Sequence, residues 1–283
     1  MIVDIHTHTF PERIAAAALR KMQGQCHTAL FTGATEPELT ASMRRAGIDR
    51  SVILPVSTNP QHVVKVNDAS LRINECTEET GLISFGCMHP DYDDVDGELG
   101  RIAKAGIRGI KLHPVYQRCD IDDPRSLRIL RAAADHGLSV IIHAGYDVGY
   151  PGETQALPEK IARALEAVGP VRMILAHMGG WRCWEEAARL LGGSGVYIDT
   201  AFSLGPMHPI GDGFYNTPES LARMDAEAFT RQVRAFGADH VLFGTDSPWE
   251  DQVTEVQAIR ALPLTGTEQD AILGGNACRL LGL

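Results

Sequence analysis

Eight short apolar runs, each followed by a helix-length stretch, restrict this chain's fold more than any other feature. They lie at residues 1–8, 51–55, 82–89, 107–113, 138–143, 171–177, 196–200 and 240–246. Helical stretches fall between them: one opening at Pro11, then 36–46, 63–80, 98–105, 126–136, 158–168, 184–191, 225–236 and a closing 268–281. Pro11 suits a first helical turn, and Gly47, Gly81, Gly106, Gly137, Gly169 and Gly237 stand where helices commonly stop. Strand–helix alternation means βαβ units on a parallel sheet. Eight units in 283 residues predict an α/β fold, a (β/α)8 TIM barrel, as one domain over residues 1–283. A doubly wound open sheet is the alternative, weakened because no glycine-rich phosphate turn follows the first strand. Residues 202–224, rich in Gly and Pro, are too long for a simple connection and read as a lid or binding loop.

The runs share a second property: apolar bodies with polar ends. The first ends in His6-Thr7-His8, and alternation along a strand puts both imidazoles on one face. Histidine is the commonest metal ligand, so the pair is half a metal site, or else two solvated histidines near a terminus. Other runs supply His89, Lys111 and His113, His143, His177 and Asp246. In a barrel these ends meet at the C-terminal mouth, where active sites of the fold sit. Three or four N/O ligands with one open position is what a catalytic zinc requires.

Composition excludes other classes. A formal net charge of −10 and a pI near 5.5 argue against nucleic acid or an anionic membrane as partner. No stretch approaches the ~20 apolar residues of a membrane span. No basic, then apolar, leader opens the sequence, so no signal peptide is expected. The six cysteines are scattered without a C-x-x-C pair, which fits reduced thiols in a cytoplasm.

Several motifs then resemble a known family. Asp4-Ile5-His6-Thr7-His8, Gly109-Ile110-Lys111-Leu112-His113-Pro114, Ile142-His143-Ala144-Gly145, Leu175-Ala176-His177-Met178-Gly179-Gly180 and Phe243-Gly244-Thr245-Asp246-Ser247-Pro248 occur in order. Together with Gly275-Asn276-Ala277 and Leu280-Leu281 they are similar to the amidohydrolase superfamily, in the amidohydrolase 2 branch of aminocarboxymuconate-semialdehyde decarboxylase. The resemblance implies a metal-dependent enzyme with His6, His8, His143 and Asp246 as metal ligands. It implies Asp246 as general base and His177 as a catalytic or orienting histidine. One zinc ion is the expectation. Two are the alternative, because binuclear members carboxylate a lysine at the position of Lys111, which with His177 would hold the second ion. Manganese or another divalent ion is an alternative metal. Family habit implies a homodimer.

Candidate substrate contacts are His89, His113, Trp181, Arg182 and Trp249, each beside a strand end. The competing readings are hydrogen-bonded strand-end histidines, packed tryptophans and a surface arginine. Three functions follow. The first is a hydrolase whose metal-activated water attacks an amide, lactone or related bond of a small molecule. The second is a non-oxidative decarboxylase or hydratase acting on a small unsaturated or aromatic acid. The third is a metal-binding protein without catalysis.

Overall fold

The computed structural model describes residues 1–283. Nine strand segments run parallel: β1 (Val3–Thr7), β2 (Arg50–Ile53), β3 (Leu82–Ser84), β4 (Gly86–Cys87), β5 (Gly109–Leu112), β6 (Ser139–Ile142), β7 (Met173–Leu175), β8 (Tyr197–Asp199) and β9 (Val241–Leu242). They pair as β1-β2-β3 and as β4 through β9 in order. β3 and β4 are two pieces of the expected run at 82–89, and Phe85 N donates to Ile53 O across the break (3.0 Å). The circle closes where Ile5 N donates to Phe243 O (2.9 Å), Asp246 N to His6 O (2.8 Å) and His8 N to Ser247 O (2.7 Å). The result is the expected eight-stave (β/α)8 barrel.

Alternation along the strands builds two apolar layers. Ile110, Leu112, Val140, Ile142, Met173, Leu175, Val241 and Phe243 face outward and join one large cluster with the helices. Val3, Ile5, Val52, Leu54, Ile83, Phe85, Ile141, Ile174 and Leu242 fill the interior, and Ala277 and Leu281 of helix Asn276–Leu281 join them. A Cβ on Gly109 would fall 2.5 Å from the Phe85 ring, so this strand uses glycine to admit the aromatic side chain.

β1 departs from regular pairing where it matters. Asp4 pairs with Ser51, but the next partners are Thr7 and Ile53, so β1 advances three residues against two. Such a bulge re-aims side chains. Before it, Asp4 turns away from the interior to accept from Thr245 Oγ1 (2.7 Å) and Gln252 Nε2 (2.7 Å). After it, His6 meets Lys111 and Asp199 at the mouth.

The helices follow the expected order, with the short turns Pro114–Gln117 and Pro218–Leu221 and one longer helix added. Helix Gln252–Ala261, capped by Asp251 accepting from Thr254 N (3.0 Å), was not expected. Its inward face carries Gln252 and Glu255 beside Ile259, so it shows no apolar stripe. Segment 202–224 contains the short helix Pro218–Leu221 and is tied to the end of helix Glu12–Cys26. Ala29 N donates to His208 O (2.6 Å), Ile210 N to His27 O (3.1 Å) and Tyr215 Oη to Cys26 O (3.1 Å). All six cysteines are free, and no helix is long and apolar enough to cross a membrane.

Candidate metal centre

Three of the expected ligands converge. His8 Nε2 lies 3.1 Å and His6 Nε2 3.4 Å from Asp246 Oδ1. Each imidazole is fixed from its far side: His6 Nδ1 meets Asp199 Oδ2 at 2.7 Å and His8 Nδ1 meets Leu54 O at 3.0 Å. Both partners are acceptors, so each ring carries a proton on Nδ1 and turns Nε2 toward the carboxylate. Three atoms that can act as metal ligands thus lie within reach of one ion. Carboxylate and carbonyl partners behind metal-binding imidazoles are the usual arrangement for orienting them. The donor set therefore fits a divalent ion.

Electrostatics supports the same arrangement. Burial holds His6 well below the usual histidine range, with Lys111 adding to the effect. Burial alone would raise the Asp246 carboxyl, but His6 and His8 outweigh it and the group stays ionised. Lys111 is 1% exposed, and burial lowers its ammonium to about 8. Its Nζ stands 3.3 Å from His6 Nε2, where it shares the donor atom a metal would use.

His143 and His177 lie beside this cluster. His177 Nε2 meets His143 Nδ1 at 3.0 Å, and His177 Nδ1 meets Ala201 O at 3.0 Å. Burial lowers His177 to about 4, so it is neutral near pH 7. The His6 and His177 ring centres are 5.4 Å apart, so His177 stands between His6 and His143. His143 turns its other nitrogen away from Asp246, to Tyr146 O (3.0 Å) and Asp147 Oδ2 (3.6 Å). His113 stacks on His143 with ring centres 4.3 Å apart and also faces Asp147.

Two acidic groups absent from the sequence reading complete the mouth. Asp199 is fully buried, accepts from His177 N (2.8 Å) and Ala201 N (3.1 Å), and holds His6; burial raises it to about 6. Its sequence signal was available: an acid ending an apolar run, like Asp246. Asp147 lies in the loop after β6, where no spacing rule marks it; burial raises it too, to about 6.

The other candidates are placed elsewhere. His89 Nδ1 accepts from Asp91 N at 3.1 Å. Trp181 and Trp249 pack with Phe202 and Met207 in a satellite cluster. Arg182 is exposed, lies 5.4 Å from the centre of the Trp181 ring and donates to Ser220 O (2.9 Å). The buried arginine of this region is Arg223, which is fully engaged by Gly205 O, Pro206 O and Glu250.

Solved structures share this fold. An uncharacterised TIM-barrel protein from Bordetella bronchiseptica superposes with a TM-score of 0.72 at 20% identity, over 99% of this chain and 98% of that one. A 5-carboxyvanillate decarboxylase from Novosphingobium aromaticivorans, with manganese bound, gives 0.67 at 14% identity over 100% and 97%. A protein described as a 2-pyrone-4,6-dicarboxylic acid hydrolase from Pseudomonas putida gives 0.65 at 17% identity over 99% and 97%. No curated protein matches the sequence. Residues 3–283 match the family model described as amidohydrolase, and with that match spanning the barrel and its mouth, the chain belongs to the amidohydrolase family.

Proposed function

We propose that the protein is a metal-dependent hydrolase acting on an amide, lactone or related bond of a small molecule. One observation carries the reading: His6 Nε2, His8 Nε2 and Asp246 Oδ1 lie together at the mouth within ligand distance of one another, while Asp199 and Leu54 fix the two rings from behind. A divalent ion held there supplies Lewis acidity to a carbonyl oxygen or a water molecule. Asp246 Oδ2 remains free to accept a proton from the attacking water. His177, neutral and anchored to Ala201 O, orients the substrate. Lys111 offers a buried positive charge to an anionic group. Zinc is the proposed ion because two imidazoles and a carboxylate suit it, and manganese in the related decarboxylase supports the alternative.

A second reading, non-oxidative decarboxylation of a small aromatic or unsaturated acid, is favoured by Lys111. A buried ammonium beside the ligands is placed to hold a carboxylate, and the related 5-carboxyvanillate decarboxylase supports that substrate class. The proposal takes residues 1–283 as one domain. Six free cysteines support a reducing cytoplasm, and a homodimer is proposed on family habit alone.

The deciding experiment offers the zinc-loaded protein a panel of lactones, amides and hydroxylated aromatic acids. Ring opening or amide cleavage, lost in Asp246→Asn, supports hydrolysis. Release of carbon dioxide supports the second reading. Turnover that survives both Asp246→Asn and chelation would remove the metal centre from either mechanism.

A further inference from the structure

We propose that Tyr116 is a specificity-determining residue, whose hydroxyl hydrogen-bonds an uncharged oxygen on the ring of a small acid, across the mouth from His6, His8 and Asp246. The assignment rests on the metal-centre reading above for where the substrate sits. Tyr116 lies in the turn Pro114–Gln117, which follows β5 at the mouth. β5 is the fourth stave of the ring, opposite the first and eighth, whose ends carry the three ligand atoms. The Tyr116 ring stacks on His113 (ring centres 3.6 Å apart, 15° between planes) and meets Tyr150 edge-on (5.4 Å, 65°). The turn itself is pinned to its neighbours. Gln117 Nε2 donates to Ser57 O (2.9 Å) and Met88 O (2.6 Å), Gln117 Oε1 accepts from His113 N (3.1 Å), and Cys119 N donates to Pro114 O (3.1 Å). A side chain held in this way is in place before a ligand arrives, so little ordering is lost when it binds one.

The hydroxyl is the uncommitted group of this wall. Tyr150 Oη accepts from Gln25 Nε2 (2.9 Å) and Tyr215 Oη donates to Cys26 O (3.1 Å), whereas Tyr116 Oη has no protein partner. Its surroundings show which way it faces. Burial pushes the phenol up, and Asp147 and then Asp246 add to the effect, so the hydroxyl looks across the mouth toward those carboxylates and stays protonated. A protonated phenol both donates and accepts. The chemistry it would recognise follows from its neighbours. Lys111 is the buried ammonium of the mouth and suits a carboxylate, while Arg182 and Arg223 are spent on Ser220 O and Glu250. A second substrate carboxylate at Tyr116 would face Asp147 with no cation to offset it, and like charges there repel. A neutral donor in that position suits a hydroxyl, methoxy or carbonyl oxygen. A net neutral hydrogen bond changes affinity roughly two- to tenfold.

The test titrates the zinc-loaded full chain calorimetrically with benzoate and with 2-, 3- and 4-hydroxybenzoate, as wild type and as Tyr116→Phe. Phenylalanine keeps the stack on His113 and removes the oxygen alone. At least one hydroxybenzoate should bind the wild type roughly two- to tenfold more tightly than benzoate. Tyr116→Phe should erase that preference, with benzoate affinity, zinc content and melting temperature held. For a ring acid that is turned over, the variant should raise KM by a larger factor than it lowers kcat, a split that general damage to the site would not give. The assignment falls if the preference survives in Tyr116→Phe, if benzoate binds the wild type as tightly as every hydroxybenzoate, or if none of the four binds. Zinc separates this outcome from the metal-centre reading. A preference that depends on Tyr116 but persists in the chelator-stripped protein and in Asp246→Asn would uphold Tyr116 and remove the metal from binding. Binding that needs zinc and ignores Tyr116→Phe would uphold the centre and overturn the assignment.

Discussion

Two residues of the mouth hold a backbone conformation that L side chains seldom adopt: Asp246 at φ 62° and His177 at φ 60°. Left-handed non-glycine residues cost on the order of 1–3 kcal/mol and gather at functional sites. Asparagine tolerates this region, so Asp246→Asn isolates the charge from the backbone. It should fold, bind zinc more weakly and lose at least ~100-fold in turnover if Asp246 moves the proton; full activity on an identified substrate would refute that role. Asp199→Asn should keep the ligands but loosen His6, weakening zinc roughly 10- to 100-fold, read by chelator competition. These residues were unequally legible in the sequence. His6, His8, Lys111, His113, His143, His177 and Asp246 end apolar runs, and a barrel gathers such ends. Asp199 ends an apolar run in the same way. Asp147 carries no such mark, because the turn that folds it back onto His113 and His143 depends on tertiary contacts. No spacing rule distinguishes His143 aimed at Asp246 from His143 aimed at Asp147.

At the level of elements, the loops after β6 and β7 are zipped together by Trp181 N donating to Ala144 O (2.8 Å) and Tyr146 N to Trp181 O (3.0 Å). Gly145 makes this possible. Its φ is 82°, and an added Cβ would fall 2.3 Å from Trp181 N, against immobile backbone. Gly145→Ala should therefore lower the melting temperature by several degrees and shift both His143 and His177. Gly152, at φ 95° with nothing within 4 Å of an added Cβ, is the control. Gly152→Ala should cost only the conformational term, about 1 kcal/mol. Equal losses in the two variants would mean that the close approach is unimportant. Helix Gln252–Ala261 escaped sequence reading for a related reason. Its buried face is polar because Gln252 reaches Asp4 on β1, a partner far away in the sequence. The β1 bulge was equally hidden, since pairing registers belong to two strands at once.

For the molecule as a whole, the eightfold alternation and its polar ends were legible because each stave repeats one local pattern. Buried charge between elements was not. Burial raises Glu255 to about 8 and Glu250 to about 7, although Arg223 pairs with Glu250 and pulls it down. A carboxyl raised above its unfolded value, about 4.3, stabilises the fold when protonated, and that contribution is lost as pH rises through the folded value. Stability should thus fall between roughly pH 5 and pH 8 through this pair. Glu255→Gln should flatten the fall, checked by denaturant titration at both pH values; parallel losses in variant and wild type would disprove the assignment. The same long-range closure governs when a site exists at all. His6 lies on the first strand and His8 just after it, while Asp246 follows the last, and the two strands are neighbours only in the finished ring. A chain emerging from the ribosome carries its two histidines through nearly the whole of synthesis before their carboxylate partner appears. On the proposed ligand set, loading the ion is an event of the completed chain.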